Sequence, residues 1–146
     1  MAKSTILSPA DEEQIIAAIK EAETNTSGEI RVHIESTCDK DVMDRATEMF
    51  AELNMHQTKL RNGVLFYLAL DDRKFAVLGD AGINAIVPDN FWEAITAEAT
   101  RHFKQNEYAE GLAKGLRMAG EQLKAHFPYN EQGDINELSD DISFGD

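Results

Sequence analysis

Gly63-Val64-Leu65-Phe66-Tyr67-Leu68-Ala69-Leu70 is an unbroken run without a charged side chain, too short and too rich in β-formers for a typical helix. Such a run predicts a central strand covered on both faces, so the fold needs a layer on each side of it. The polar break Asp71-Asp72-Arg73-Lys74 is short, and Phe75-Ala76-Val77-Leu78 follows it. The two runs therefore read as an antiparallel hairpin. Gly79-Asp80-Ala81-Gly82 ends it.

The flanking segments carry helical signals. Ser8-Pro9 supplies an N-cap and a first helical position, with acids in the first turn and Ile15, Ile16, Ile19 and Ala22 at helical spacing. That helix should stop near Asn25-Thr26-Ser27-Gly28. The chain then alternates, with Ile30, Val32 and Ile34 on one side and Glu29, Arg31, His33 and Glu35 on the other, predicting a half-buried strand. Asp39-Lys40-Asp41 opens a second helix with the stripe Val42, Ala46, Met49, Phe50 and Leu53, ending near Asn54. Pro88-Asp89 precedes Trp92, Ile95, Ala99 and Phe103, and Tyr108 to Phe127 repeats apolar residues at steps of four and three. Phe91 and Trp92, like Met43, Met49 and Met55, are read as packing residues. The sum is an α/β domain over residues 8–127, with helices covering a small mixed sheet.

Charge narrows the function classes. The 146 residues carry 14 Lys+Arg against 27 Asp+Glu, a formal net charge of −13, which repels nucleic-acid backbones and anionic lipid and favours cations. Residues 128–146 hold Glu131, Asp134, Glu137, Asp140, Asp141 and Asp146 with no Lys or Arg. This is expected to be an acidic tail, with Ile135, Leu138, Ile142 and Phe144 spaced so that it could dock on the domain. Neither a signal-peptide core nor the roughly 20 apolar residues of a membrane span is found. With the single cysteine Cys38, a soluble cytoplasmic monomer is expected.

Several chemistries lack their residues. GxGxxG and P-loop patterns are absent, and His33, His56, His102 and His126 form no HxH or HExxH pair. Asp134-Ile135-Asn136-Glu137-Leu138 begins like a calcium loop but puts leucine at the fifth ligand position. His33 has no identifiable orienter except Glu35.

Topology is more informative. The helix from about Asp41 to Asn54 is long enough to be a βαβ crossover, which makes the first two strands parallel and brings their N-terminal ends to one edge. The hairpin brings Asn62-Gly63 beside Gly79-Asp80. Three polar segments thus meet: Ser27-Gly28-Glu29, Arg61-Asn62-Gly63 and Gly79-Asp80-Ala81-Gly82. Glu29, Asn62 and Asp80 supply two carboxylates and an amide carbonyl, hard oxygens suited to Ca²⁺ or Mg²⁺. Ser27, Gly28, Arg61, Gly63, Gly79 and Gly82 would form the supporting loops. Plainer roles stand beside this one: Asp80 as the N-cap of a short helix at 81–86, Glu29 paired with Arg31 or Arg61, and Asn62 as a turn residue.

In the order and spacing of Ser27-Gly28-Glu29-Ile30, Arg61-Asn62-Gly63-Val64-Leu65, Asp72-Arg73-Lys74, Gly79-Asp80-Ala81-Gly82-Ile83, and Tyr108 followed by Gly111-Leu112, the sequence resembles the TPM domain family. The resemblance runs from about Ile15 to Phe127. It implies a three-layer αβα sandwich with a sheet of about four strands, divalent cation binding, and a weak acid phosphatase activity as in plant members. The chain resembles the short cytoplasmic bacterial form, so the luminal and receptor-modulating roles of other members are not carried over. The expectation is a Ca²⁺- or Mg²⁺-binding domain. Its alternatives are a metal-assisted phosphatase and an interaction module that uses the groove and acidic tail.

Overall fold

A computed structural model describes residues 7–24, 26–58, 60–88, 90–128 and 142–145. The first helix, α1, spans Pro9–Glu23 and opens with a reciprocal cap: the Ser8 hydroxyl accepts from the Asp11 amide, and the Asp11 carboxylate accepts from the Ser8 amide. The strand β1 covers Glu29–Glu35, and α2 covers Val42–Glu52 behind an Asp41 N-cap. A 3₁₀ turn at Met55–Gln57 leads to β2 at Gly63–Ala69 and β3 at Lys74–Gly79. The short α3 at Ala81–Asn84, α4 at Phe91–Phe103 and α5 at Tyr108–His126 follow. A two-residue strand, β4, at Ser143–Phe144 was not foreseen.

These strands form one mixed sheet in the order β3-β2-β1-β4. β1 lies parallel to β2, with Glu29 opposite Gly63 and Glu35 opposite Ala69, as the crossover argument requires. β3 runs antiparallel to β2 from Val64 opposite Gly79 to Ala69 opposite Lys74. Arg73 closes the hairpin with φ 53°, the left-handed turn that lets a short loop follow the strand twist.

Helices cover both faces. Ile30, Val32 and Ile34 join Val64, Phe66, Leu68 and Val77 in one apolar cluster with residues of α1, α4 and α5. Leu65, Tyr67, Ala69 and Ala76 form a second with Ala46, Met49 and Phe50 of α2 and with Met55. Each fully buried Ile, Leu or Phe contributes roughly 1.5–3 kcal/mol, so the sheet is stabilised from both sides.

One expectation needs correction. β1 is not half-buried: Glu29, His33 and Glu35 are buried along with its apolar residues. The Arg45 side chain from α2 reaches across the polar face to Glu35, the Tyr67 hydroxyl bonds the same carboxylate, and β4 lies along the outer edge, so alternation in β1 separates two buried faces of different polarity. In the C-terminal stretch, Ile142 and Phe144 pack half-buried against the larger core and β4 pairs with β1. Ile135 and Leu138 lie outside the described residues.

Candidate functional site

The three polar segments meet where the topology put them. The Glu29 amide donates to the Asn62 carbonyl at 3.4 Å, and the Asp80 amide donates to the Gly63 carbonyl at 2.9 Å. Asn62 Nδ2 donates to the Ser27 carbonyl at 3.3 Å. The Ser27 amide is tied to the end of α5 through the Phe127 carbonyl at 2.9 Å, and the Gly28 amide donates to Thr26 Oγ1 at 3.1 Å. Glu29, Asn62 and Asp80 are all at most 5% exposed.

Asp80 has the fullest set of contacts. Its Oδ1 accepts from the Ala81 amide at 2.8 Å, so it does cap a short helix. Arg61 grips both oxygens, Nε to Oδ2 at 2.6 Å and NH2 to Oδ1 at 2.7 Å. Burial alone would raise the Asp80 pKa, but the Arg61 and Ala81 hydrogen bonds outweigh it and hold the carboxyl below its usual range. Arg61 itself is 47% exposed and has φ 53°, a left-handed conformation that costs a non-glycine residue about 1–2 kcal/mol. That backbone is held in place by Gly82, whose amide donates to the Arg61 carbonyl at 2.8 Å. A Cβ at Gly82 would collide with the Leu60 and Arg61 carbonyls.

Glu29 on β1 lies opposite Gly63 on β2, and Asp80, the residue after β3, is held beside Gly63 by its amide. The middle one has no side chain, and the Met55 carbonyl lies over it, 3.3 Å from where its Cβ would be. The donors are hard oxygens of the kind Ca²⁺ and Mg²⁺ take. Among the described residues no three Asp, Glu, His or Cys gather tightly enough to hold a metal, so amide, backbone or water oxygens would have to complete a shell. Thr58, in the loop leading to Arg61, has a buried hydroxyl with no hydrogen-bond partner among the described residues.

A second polar cluster lies toward the other end of β1. Glu35 Oε1 meets His33 Nε2 at 3.0 Å, and Arg45 of α2 clamps Glu35 from Nε at 2.8 Å and NH2 at 3.0 Å. The Tyr67 hydroxyl donates to Glu35 Oε2, and the His33 and Tyr67 rings stack at 5.9 Å. His33 Nδ1 contacts the Ser143 hydroxyl at 2.8 Å. Burial pushes the Glu35 carboxyl up, yet hydrogen bonds from Arg45, Tyr67 and His33 prevail and set it at about 2. Burial lowers the His33 pKa against the opposing pull of Glu35. Burial, then Glu35, raises that of Tyr67. The sequence left His33 with Glu35 alone. The missed signal is Tyr67, a phenol in an otherwise apolar, doubly covered strand, which must find a partner for its hydroxyl.

A mixed four-stranded sheet between helical layers, with polar segments gathered at one edge, defines an α/β sandwich domain. The chain matches the TPM domain family over residues 1–122 and belongs to it. It is similar to the NMR structure of BA42 protein from the psychrophilic bacterium Bizionia argentinensis, with 46% identity, a TM-score of 0.86 and 94% of each chain covered. It is also similar to the N-terminal domain of a P. gingivalis protein, with 24% identity, a TM-score of 0.69, and 86% of this chain and 84% of that one covered. The N-terminal domain of cg2496 protein from Corynebacterium glutamicum has 18% identity and a TM-score of 0.66, with coverage of 85% and 78%. The last two likenesses concern the fold alone. No curated protein matches the chain. Among the described residues no helix is long and apolar enough to cross a membrane.

Proposed function

We propose that this TPM domain binds a divalent cation, Ca²⁺ or Mg²⁺, at the edge formed by Glu29, Asn62 and Asp80, and that the cation takes the place of the Arg61 guanidinium. The observation that carries the reading is Asp80: a buried carboxylate whose two oxygens both face a positive charge borne by a half-exposed side chain. Arg61 supplies one charge and a strained backbone, whereas a divalent ion supplies two and can draw the Asn62 carbonyl and water into its shell. Binding is then an exchange of cations, and the acidic surface of the chain favours it by raising local cation concentration.

Titration of CaCl₂ and MgCl₂ into isotopically labelled protein tests this by amide NMR. Shifts should concentrate at Glu29, Arg61–Gly63 and Gly79–Gly82. Asp80→Asn should weaken binding at least tenfold, and Arg61→Gln should tighten it severalfold by removing the competitor. Asp80→Asn titrating like the unaltered chain, or shifts confined to residues 129–141, would remove the assignment.

A further inference from the structure

The His33–Glu35–Arg45–Tyr67 cluster is costly to bury, and among the described residues the segment outside the main domain that touches it is the one carrying β4. Ser143 and Phe144 pair parallel with His33 and Ile34, and the Gly145 amide donates to the Ile34 carbonyl at 2.8 Å. We propose that the outer edge of β1 with this cluster is a strand-receiving site, filled in cis by residues 142–145, that takes an extended segment of a partner protein with the pattern apolar–Ser/Thr–aromatic–Gly. The proposal does not depend on the cation site, which lies at the opposite end of β1.

Each position of the pattern has a physical reason. Glu35 is ionised and can only accept, so His33 Nε2 carries the ring proton and Nδ1 is left as an acceptor. The residue facing Nδ1 must therefore donate, as the Ser143 hydroxyl does at 2.8 Å. Two residues on, a Cβ at Gly145 would collide with Glu35 Oε1 and lie 2.9 Å from His33 Nε2. The cluster is fixed by Arg45 and Tyr67 and cannot retreat, so glycine is required. Ile142 and Phe144, half-buried against the core, supply the apolar flanks.

The cis occupant holds on by little. Its ladder is two residues long and all four residues are half-buried, so its occupancy depends on being tethered, which provides an effective concentration on the order of 1 mM. A partner segment with the same pattern competes on those terms, main-chain pairing giving affinity and the hydroxyl and glycine giving selectivity.

The test uses the full-length chain bearing Gly145→Val, which evicts its own segment, and a synthetic peptide spanning Asp140–Asp146 as probe. Saturable amide shifts at His33, Ile34 and Glu35 are expected, with a Kd on the order of 0.1–1 mM. A peptide carrying Ser143→Ala should bind at least fivefold more weakly, and the unaltered chain should bind the probe more weakly than the variant. Full-length Ser143→Ala gives the same competition readout with a milder change. No shifts along β1 at several millimolar peptide, equal binding of the Ser143→Ala peptide, or equal binding by the unaltered chain would each overturn the proposal.

Discussion

Two buried carboxylates on the same strand, Glu29 and Glu35, end in different kinds of place. At the Glu29 end the polar groups come from loops and strand starts, and the cation that neutralises Asp80 belongs to a 47% exposed arginine on a left-handed backbone. At the Glu35 end Arg45 is 25% exposed, issues from a helix, and shares its carboxylate with a fully buried tyrosine and a buried histidine. The first arrangement is the one we propose to be exchangeable, and the second is a fixture. An ion pair between buried acid and arginine thus says little until the arginine's own footing is examined.

The largest expected effect tests that contrast directly. Arg45→Leu leaves Glu35 buried without its main partner and should cost about 3 kcal/mol, read as a lower urea midpoint. Arg61→Leu should cost clearly less, because water can replace an exposed guanidinium on Asp80. Equal losses would erase the distinction between fixture and exchangeable pair.

Acid should separate the two regions next. The His33 pKa is lowered from 6.5, so the unfolded chain takes up its proton first and stability begins to fall as pH drops below about 6.5. Glu35 sits at about 2 in the fold against 4.5 ordinarily. Its contribution, roughly 2 kcal/mol after allowing for solvent reached through Arg45, is complete above about pH 4.5 and lost on the way to pH 2. Asp80, lowered from 3.8, acts in the same sense only below that value. Urea midpoints measured from pH 8 to 2.5 should therefore slope from pH 6.5 downward, and His33→Gln should flatten the section between pH 6.5 and 5. A slope that survives His33→Gln would assign it elsewhere.

The same contrast explains what could be read from the residues. The polar edge of Glu29, Asn62 and Asp80 was legible because three glycine-bearing polar segments abut apolar runs whose lengths and direction fix the strand ends. Gly63 beside Asp80 follows from the hairpin register alone, and the Asp80 cap from the helix start after it. What could not be read was the Arg61 grip on Asp80, which depends on a positive φ at a residue that seldom adopts one. The second cluster was hidden for another reason. His33 and Glu35 look like the solvent side of an alternating strand until Arg45 and Tyr67 are known to close over that side, and Ser143 lies 110 residues from His33. Local patterning carries no information about a contact at that range.

That separation has a consequence for how the sheet assembles. β2 and β3 meet across the four residues between Ala69 and Lys74, whereas β4 follows only after α5 has brought Pro128 back beside Thr26, and the 14 residues 129–142 then separate Pro128 from Ser143. With loop entropy growing as (3/2)RT ln n, closing those 14 residues costs about 1 kcal/mol more than closing the hairpin, against a ladder of two residue pairs and half-buried side chains. The sheet should grow outward from the hairpin, and β4 should be its last strand to arrive and first to leave. Amide exchange would show the order: the Gly145 amide, bonded to Ile34, should exchange orders of magnitude faster than those of the paired Leu65 and Leu78, and equal protection would mean that the sheet locks as one unit.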